Sequence, residues 1–414
     1  MRSPLAGALS FLLPDPAEAA LLAVCLRPDR ARAAWDEWLR RGGDLDRYRS
    51  LLPLVDAGVR AAGLELEAAL AARLAGARLH ESIRWGAIRQ VTVDALDRLA
   101  RAGLDPVVVQ DVALAATAYR DPTLRHCHAL EVLLPPGEMG DAAGLLAAAG
   151  FRPGRASGTG ADFVHPDGLP VRLSDEPFAR IATGADAGRI RARAVPAPIV
   201  GLARGPAPED ALALLVARAA VGADRRSLLW VCDASRVIAS ATELDWDRVV
   251  DSARLWGLAL PIATMVGWLS SELGLAVPSE APARMAERVG RGREMRRTTE
   301  AALACARADG RAGLVTLLAR ARGWRERATV VRWTALPTPR ALHRAYPGTP
   351  TVALPLLYLA RPLLATVRSV ARRLRPPEPA PGFPGRGAGT AGARSGAPGA
   401  REEDRPSASP RSSG

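Results

Sequence analysis

With 414 residues, 48% of them hydrophobic and only 4% aromatic, the chain can bury ample cores and has the Ala/Leu-rich balance of a mostly helical protein, which excludes disorder throughout. All 56 basic residues are arginine, a bias that fits a GC-rich genome and makes arginine number alone weak evidence of anion binding. The net charge of +13 is unevenly spread: residues 1–283 hold 31 Arg against 34 acids, residues 284–375 hold 20 against 5, and the last 39 residues hold 5 against 4. The part before residue 284 has no broad basic stripe, so a nucleic-acid polymer is not expected as its substrate.

At the N-terminus, Arg2 and Leu5–Leu13 faintly resemble a signal peptide, but Pro14-Asp15-Pro16 and the lack of a small-x-small cleavage pattern favour an ordinary first helix. Apolar residues at three- and four-residue steps predict helices over Ala20–Leu26, Ala31–Arg40, Leu51–Ala61 and Leu66–Leu79, and then over Glu81–Ala102, which Gly103 stops. Val107–Val109 reads as a short strand, Val112–Tyr119 as a small-residue helix, and Ala129–Leu134 as a second strand after the break at Asp121-Pro122. Met139–Ala149 reads as a helix ending at Gly150, followed by candidate strands Asp162–His165 and Pro170–Leu173. Asp210–Ala220, Leu228–Ile238 and Trp246–Leu258 continue as packed helices, and Leu255–Leu269, which contains Pro261, is too short to span a bilayer.

The order of residues from Ala113-Leu114-Ala115 through Tyr119, Asp121-Pro122 and Leu124-Arg125 to the second strand resembles the family of bacterial uncharacterised nucleotidyltransferases. Pro208-Glu209-Asp210, Leu229–Ala234 (LWVCDA) and Asp245-Trp246 are similar to that family's helical second half, so the likeness covers roughly residues 90–275. The resemblance implies a reduced nucleotidyltransferase α/β fold and Mg²⁺-dependent transfer of a nucleotidyl group from a nucleoside triphosphate to a small molecule, sugar or peptide. In such a fold, two carboxylates at i and i+2 on a strand face one side and hold the metal against phosphates.

Here those two positions are Ala129 and Glu131, the family's third carboxylate falls on Arg172, and its Lys-Gly pair falls on Gln110-Asp111. A methyl group cannot ligate a hard cation, and a guanidinium adds positive charge where the metal would sit. Two readings remain open. In the first, metal catalysis is lost, Arg172 pairs with Glu131 or contacts an anion, and the cleft binds a nucleotide or other anion through Gln110, Asp111, Arg125 and Arg172, or serves as a scaffold in a biosynthetic pathway. In the second, Asp111 stands in beside Glu131, the two hold Mg²⁺, and transfer survives. The plainer role for Asp111 is a helix N-cap ahead of Val112, and for Glu131 a solvated strand-end carboxylate or salt bridge.

His126-Cys127-His128 puts alternate side chains on one face, yet no nearby His or Cys completes a zinc set. His80, His165 and His343 stand alone, and Cys25, Cys127, Cys232 and Cys305 lack paired spacing, so reduced, mostly buried thiols are expected.

The segment from Arg284 joins apolar and basic residues in Glu300–Arg320, Leu354–Ala360 and Arg368–Arg375. It is read either as a membrane-binding basic amphipathic segment on an anionic lipid surface or as helix packed on the core with a solvated arginine face. From Pro376 the Pro/Gly/Ala/Ser composition predicts a disordered tail. The expected architecture is α+β: a helical segment over 1–85, a small mixed-sheet core over 86–200, a helical domain over 201–283, a basic helical segment over 284–375 and the tail over 376–414. The protein is expected in the cytoplasm, with the inner membrane surface as a peripheral site.

Overall fold

A computed structural model of the chain describes residues 5, 7–157, 160–177, 187–199, 203–221, 227–241, 243–287, 300, 302, 303, 306, 313–321 and 323–335. The expected segments Leu354–Ala360 and Arg368–Arg375, the tail from Pro376, and the residues Cys305 and His343 lie outside them, as does part of Glu300–Arg320. All the described residues belong to one compact unit, Met1–Tyr358.

The chain begins with helices α1 (Pro16–Leu26), α2 (Ala31–Arg40) and α3 (Leu52–Ala61). Asp15 starts α1 with a capping box, accepting from the amides of Ala17 and Glu18 while the Glu18 carboxylate accepts from its own amide. Two helices expected over residues 66–79 and 81–102 are one, α4 (Ala68–Arg101). Neither Gly nor Pro interrupts the sequence between Leu79 and Glu81, so the backbone has no reason to break there, and what changes is the packed face. Leu74 enters one core, whereas Ile88, Val91, Ala95, Leu96 and Leu99 enter another. At 34 residues α4 is about 50 Å long. It runs through position 85.

The sheet begins with β1 (Val107–Val109), followed by α5 (Asp111–Ala118), β2 (Leu130–Leu133) and α6 (Met139–Ala148). Then come β3 (Arg152–Ser157), β4 (Gly160–Val164), β5 (Pro170–Ser174), α7 (Ala187–Ala192), β6 (Val195–Pro196) and β7 (Arg204–Gly205). The strand order is β3-β4-β5-β2-β1-β7-β6. β2 runs parallel to β5 and antiparallel to β1, and β1 runs parallel to β7, so the sheet is mixed. Sequence patterning did not predict β3, β6 or β7: Arg152–Ser157 (RPGRAS) contains Pro and Gly with little apolar alternation, and β6 and β7 are two residues each.

Strand alternation gives the sheet two faces. Val108, Leu130, Val132, Val171 and Leu173 pack with the second half of α4 and with α6. Val107, Val109 and Leu133 face the larger core, which joins α1–α3 to α8 (Pro208–Ala220), α9 (Leu229–Ser240), α10 (Trp246–Leu255), α11 (Ala259–Leu273) and α12 (Glu280–Glu287). Two expectations shift here: α10 stops at Leu255, and Gly257, with φ +69, turns the chain so that the next helix starts at Ala259, with Pro261 in its first turn. Two further helices, α13 (Gly313–Arg320) and α14 (Gly323–Ala335), follow. No helix among the described residues is long and apolar enough to cross a membrane.

Candidate functional site

Register aligns the candidate residues. Val109 pairs with Glu131, Glu131 with Arg172, and Arg172 with Asp162, so these side chains form one row across β1, β2, β5 and β4. Directly paired residues share a face, and this one looks towards α8. Ala129 lies just before β2, two residues from Glu131, and contributes only its methyl group.

Glu131 is buried and held chiefly by Arg218 of α8, whose guanidinium donates from Nη1 and Nη2 to the two carboxylate oxygens at 2.7 and 3.1 Å. Arg172, the partner expected from the sequence, comes second. Its Nη1 is 4.0 Å from Glu131, while its Nε donates to Asp162 at 2.8 Å. Burial, reinforced by nearby Asp111, raises the Glu131 carboxyl above its ordinary value even though Arg218 opposes the shift. Arg218 was missed because it lies 87 residues away, among the apolar residues of α8 from Leu212 to Ala220.

Asp111 is not the N-cap. It is the first residue of α5, and Gln110 occupies the cap position with φ 60 and ψ −129. The carboxylate instead turns across the strand ends, where it accepts from the His128 amide at 2.6 Å and pairs with Arg125 at 3.0 Å. Burial pushes its carboxyl up, but Arg125, the amide bond and further cations together leave it below the ordinary value. Gln110 is buried and sits in a left-handed conformation that usually favours glycine. The tight turn is therefore at Gln110, one residue before the position where the resemblance places the family's glycine.

Arg125 points inward. Its Nε and Nη2 each donate at 2.9 Å to Asp233 on α9, and its Nη1 meets Asp111, so the guanidinium is consumed by the protein itself. Tyr119 donates its hydroxyl to the same Asp233 at 2.7 Å. Burial raises Asp233 and drives the Tyr119 hydroxyl well above its ordinary value. The Cys127 thiol, enclosed beside Arg125, is pushed up to about 12 by burial, which keeps it protonated. His126 bonds Glu81 at 2.6 Å through Nδ1, and its ring packs edge-on against His128 at 4.4 Å. Among the described residues no group of three or more His, Cys, Asp or Glu side chains has the arrangement of a metal site.

Several residues that carried the resemblance meet one another. Tyr119 and Arg125 close on Asp233, and Glu209 at the start of α8 accepts from the amide of Asp245, which itself caps α10. Contacts 108 and 114 residues apart in sequence thus join the sheet's strand ends to the helical half, and the Glu209–Asp245 contact, 36 residues apart, ties two helices within that half.

Magnesium needs several hard oxygen ligands around an open octahedral position. The donor set does not fit that ion: Ala129 offers none, Arg172 brings a cation, Glu131 is taken by Arg218, and Asp111 is taken by Arg125 and an amide. Of the positions where the resemblance predicts metal coordination, Glu131 and Arg172 instead join Arg218 and Asp162 in a row of alternating charge.

The sequence model of the family described as "Uncharacterised nucleotidyltransferase" matches residues 35–271. No curated protein matches the chain.

Proposed function

The chain belongs to the family of uncharacterised nucleotidyltransferases, and from that premise we propose that it is a member whose metal site has been replaced by internal ion pairs and which acts by binding. It binds a nucleotide or similar anion without a divalent cation, or serves as a scaffold, within a biosynthetic pathway. The observation that carries this reading is the two-pronged Arg218–Glu131 bond, which puts a guanidinium against the one carboxylate retained at the strand positions. Replacing a divalent ion with an arginine keeps positive charge near the phosphates but supplies no Lewis acid. Arg172, about half exposed, is the cation of this row best placed to meet a ligand. Arg125 is spent on Asp233 and Asp111 and serves to hold the site's shape.

The competing reading, Mg²⁺-dependent transfer through Glu131 and Asp111, requires Arg218 and Arg125 both to give up buried partners. Calorimetric titration of ATP, CTP, GTP and UTP into the full chain, with Mg²⁺ and with chelator, separates the two. The expected result is binding of equal strength in both conditions that weakens about ten-fold in Arg172→Gln, the loss of one charge-assisted contact. Tight binding that needs Mg²⁺ overturns the proposal. Absence of nucleotide binding removes the ligand role and leaves the scaffold.

A further inference from the structure

We propose that the α13–α14 pair docks the protein on an anionic lipid surface through a face built around Trp324 and Val331. The two helices are anchored from beneath: Leu317, Ala321 and Val330 are fully or nearly buried and belong to the larger core. Large apolar side chains nevertheless point away from it. Trp324 is 73% exposed, Val315 66% and Val331 51%. Trp324 and Val331 are seven residues apart on α14, two helical turns, and therefore lie on one face.

Charge selects the occupant. Residues 313–335 carry five Arg against one Glu, within a segment, 284–375, that carries 20 Arg against 5 acids. The guanidinium of Arg325 lies over the Trp324 ring, 5.5 Å from its centre, which places a cation beside an indole. An exposed indole flanked by arginines matches the boundary between acyl chains and headgroups: the ring and Val331 enter the apolar layer while Arg325 and Arg327 stay level with phosphates. A protein partner of mixed surface charge would not use this one-sided excess. A single-stranded nucleic acid would call for several aromatic platforms along a basic track, and the described part of this face offers one tryptophan.

The test is flotation of the full chain with vesicles of phosphatidylcholine alone and with about one-third phosphatidylglycerol. The expected result is recovery with the anionic vesicles only, weakening as salt is raised. Trp324→Ser with Val331→Ser, and separately Arg325→Gln with Arg327→Gln, are each expected to lower vesicle affinity on the order of ten-fold or more. Leu79→Ser, also exposed but on α4, is expected to change nothing. Equal recovery with both vesicle types, anionic recovery untouched by both double variants, or binding of a single-stranded RNA oligomer without vesicle binding would each overturn the proposal. Circular dichroism of each variant, showing unchanged helicity, guards against loss through unfolding.

Discussion

Arg218, in the last turn of α8, grips both oxygens of Glu131 on β2 at 2.7 and 3.1 Å, although the two residues are 87 positions apart. The pair binds α8 to the middle of the sheet.

Arg218→Met leaves the Glu131 carboxylate buried without its main counter-charge. The expected cost is about 3–5 kcal/mol, read as a lower urea midpoint with unchanged slope. Pairing it with Glu131→Leu should recover most of that loss, because removing both charges removes the desolvation problem as well.

Rebuilding the metal site should require three changes. With Ala129→Asp and Arg172→Asp alone, Arg218 still occupies Glu131, and calorimetry should detect no Mg²⁺ binding. Adding Arg218→Ala frees the carboxylate, and Mg²⁺ binding should appear. Mg²⁺ binding by the natural chain at this site would contradict the ion-pair account.

The turn at Gln110 is expected to be strained by its positive φ. Gln110→Gly should therefore be more stable than Gln110→Ala by about 1 kcal/mol, since only glycine adopts that conformation freely. Thermal unfolding of the two variants compares them with the buried side chain removed in both.

Asp233→Ala strips Arg125 of its two-point partner and Tyr119 of its acceptor. A loss of about 3–5 kcal/mol is expected. Tyr119→Phe removes one hydrogen bond to a buried charge and should cost about 1.5–3 kcal/mol. In a double-mutant cycle the two changes should fall well short of additive.

The folded Asp111 carboxyl lies below its ordinary value of 3.8, so its ionised form is favoured by folding. The corresponding stability is fully present above that value and is lost as pH falls through the lower, folded pKa. The stability gap between the natural chain and Asp111→Asn should therefore be widest near neutral pH and shrink on acidification below about 4, as followed by urea unfolding at stepped pH.

Helix and strand periodicity made much of this architecture legible. Val107–Val109 was placed to the residue, and the central helices to within a few positions, because local apolar spacing decides them. The single rod of α4 was hidden by a change in which face is buried, and β3, β6 and β7 by strands too short or too polar to alternate. At the site, the chemical identities of Ala129, Glu131 and Arg172 were readable, and their shared face follows from strand register. The partners were not readable. Arg218 and Asp233 sit among apolar residues of α8 and α9, and nothing local tells that an arginine or aspartate there faces a charge 87 or 108 residues away.

The Arg125–Asp233 tie also sets an order of events during synthesis. The strands around Arg125 leave the ribosome 108 residues before the carboxylate that completes them. At about 5–20 residues per second, that interval lasts roughly 5 to 20 s. Throughout it, Arg125 has Asp111 to pair with but lacks the carboxylate that takes its Nε and Nη2. The two-point tie between the α/β module's strand ends and the helical half is thus completed only after α9 has been made.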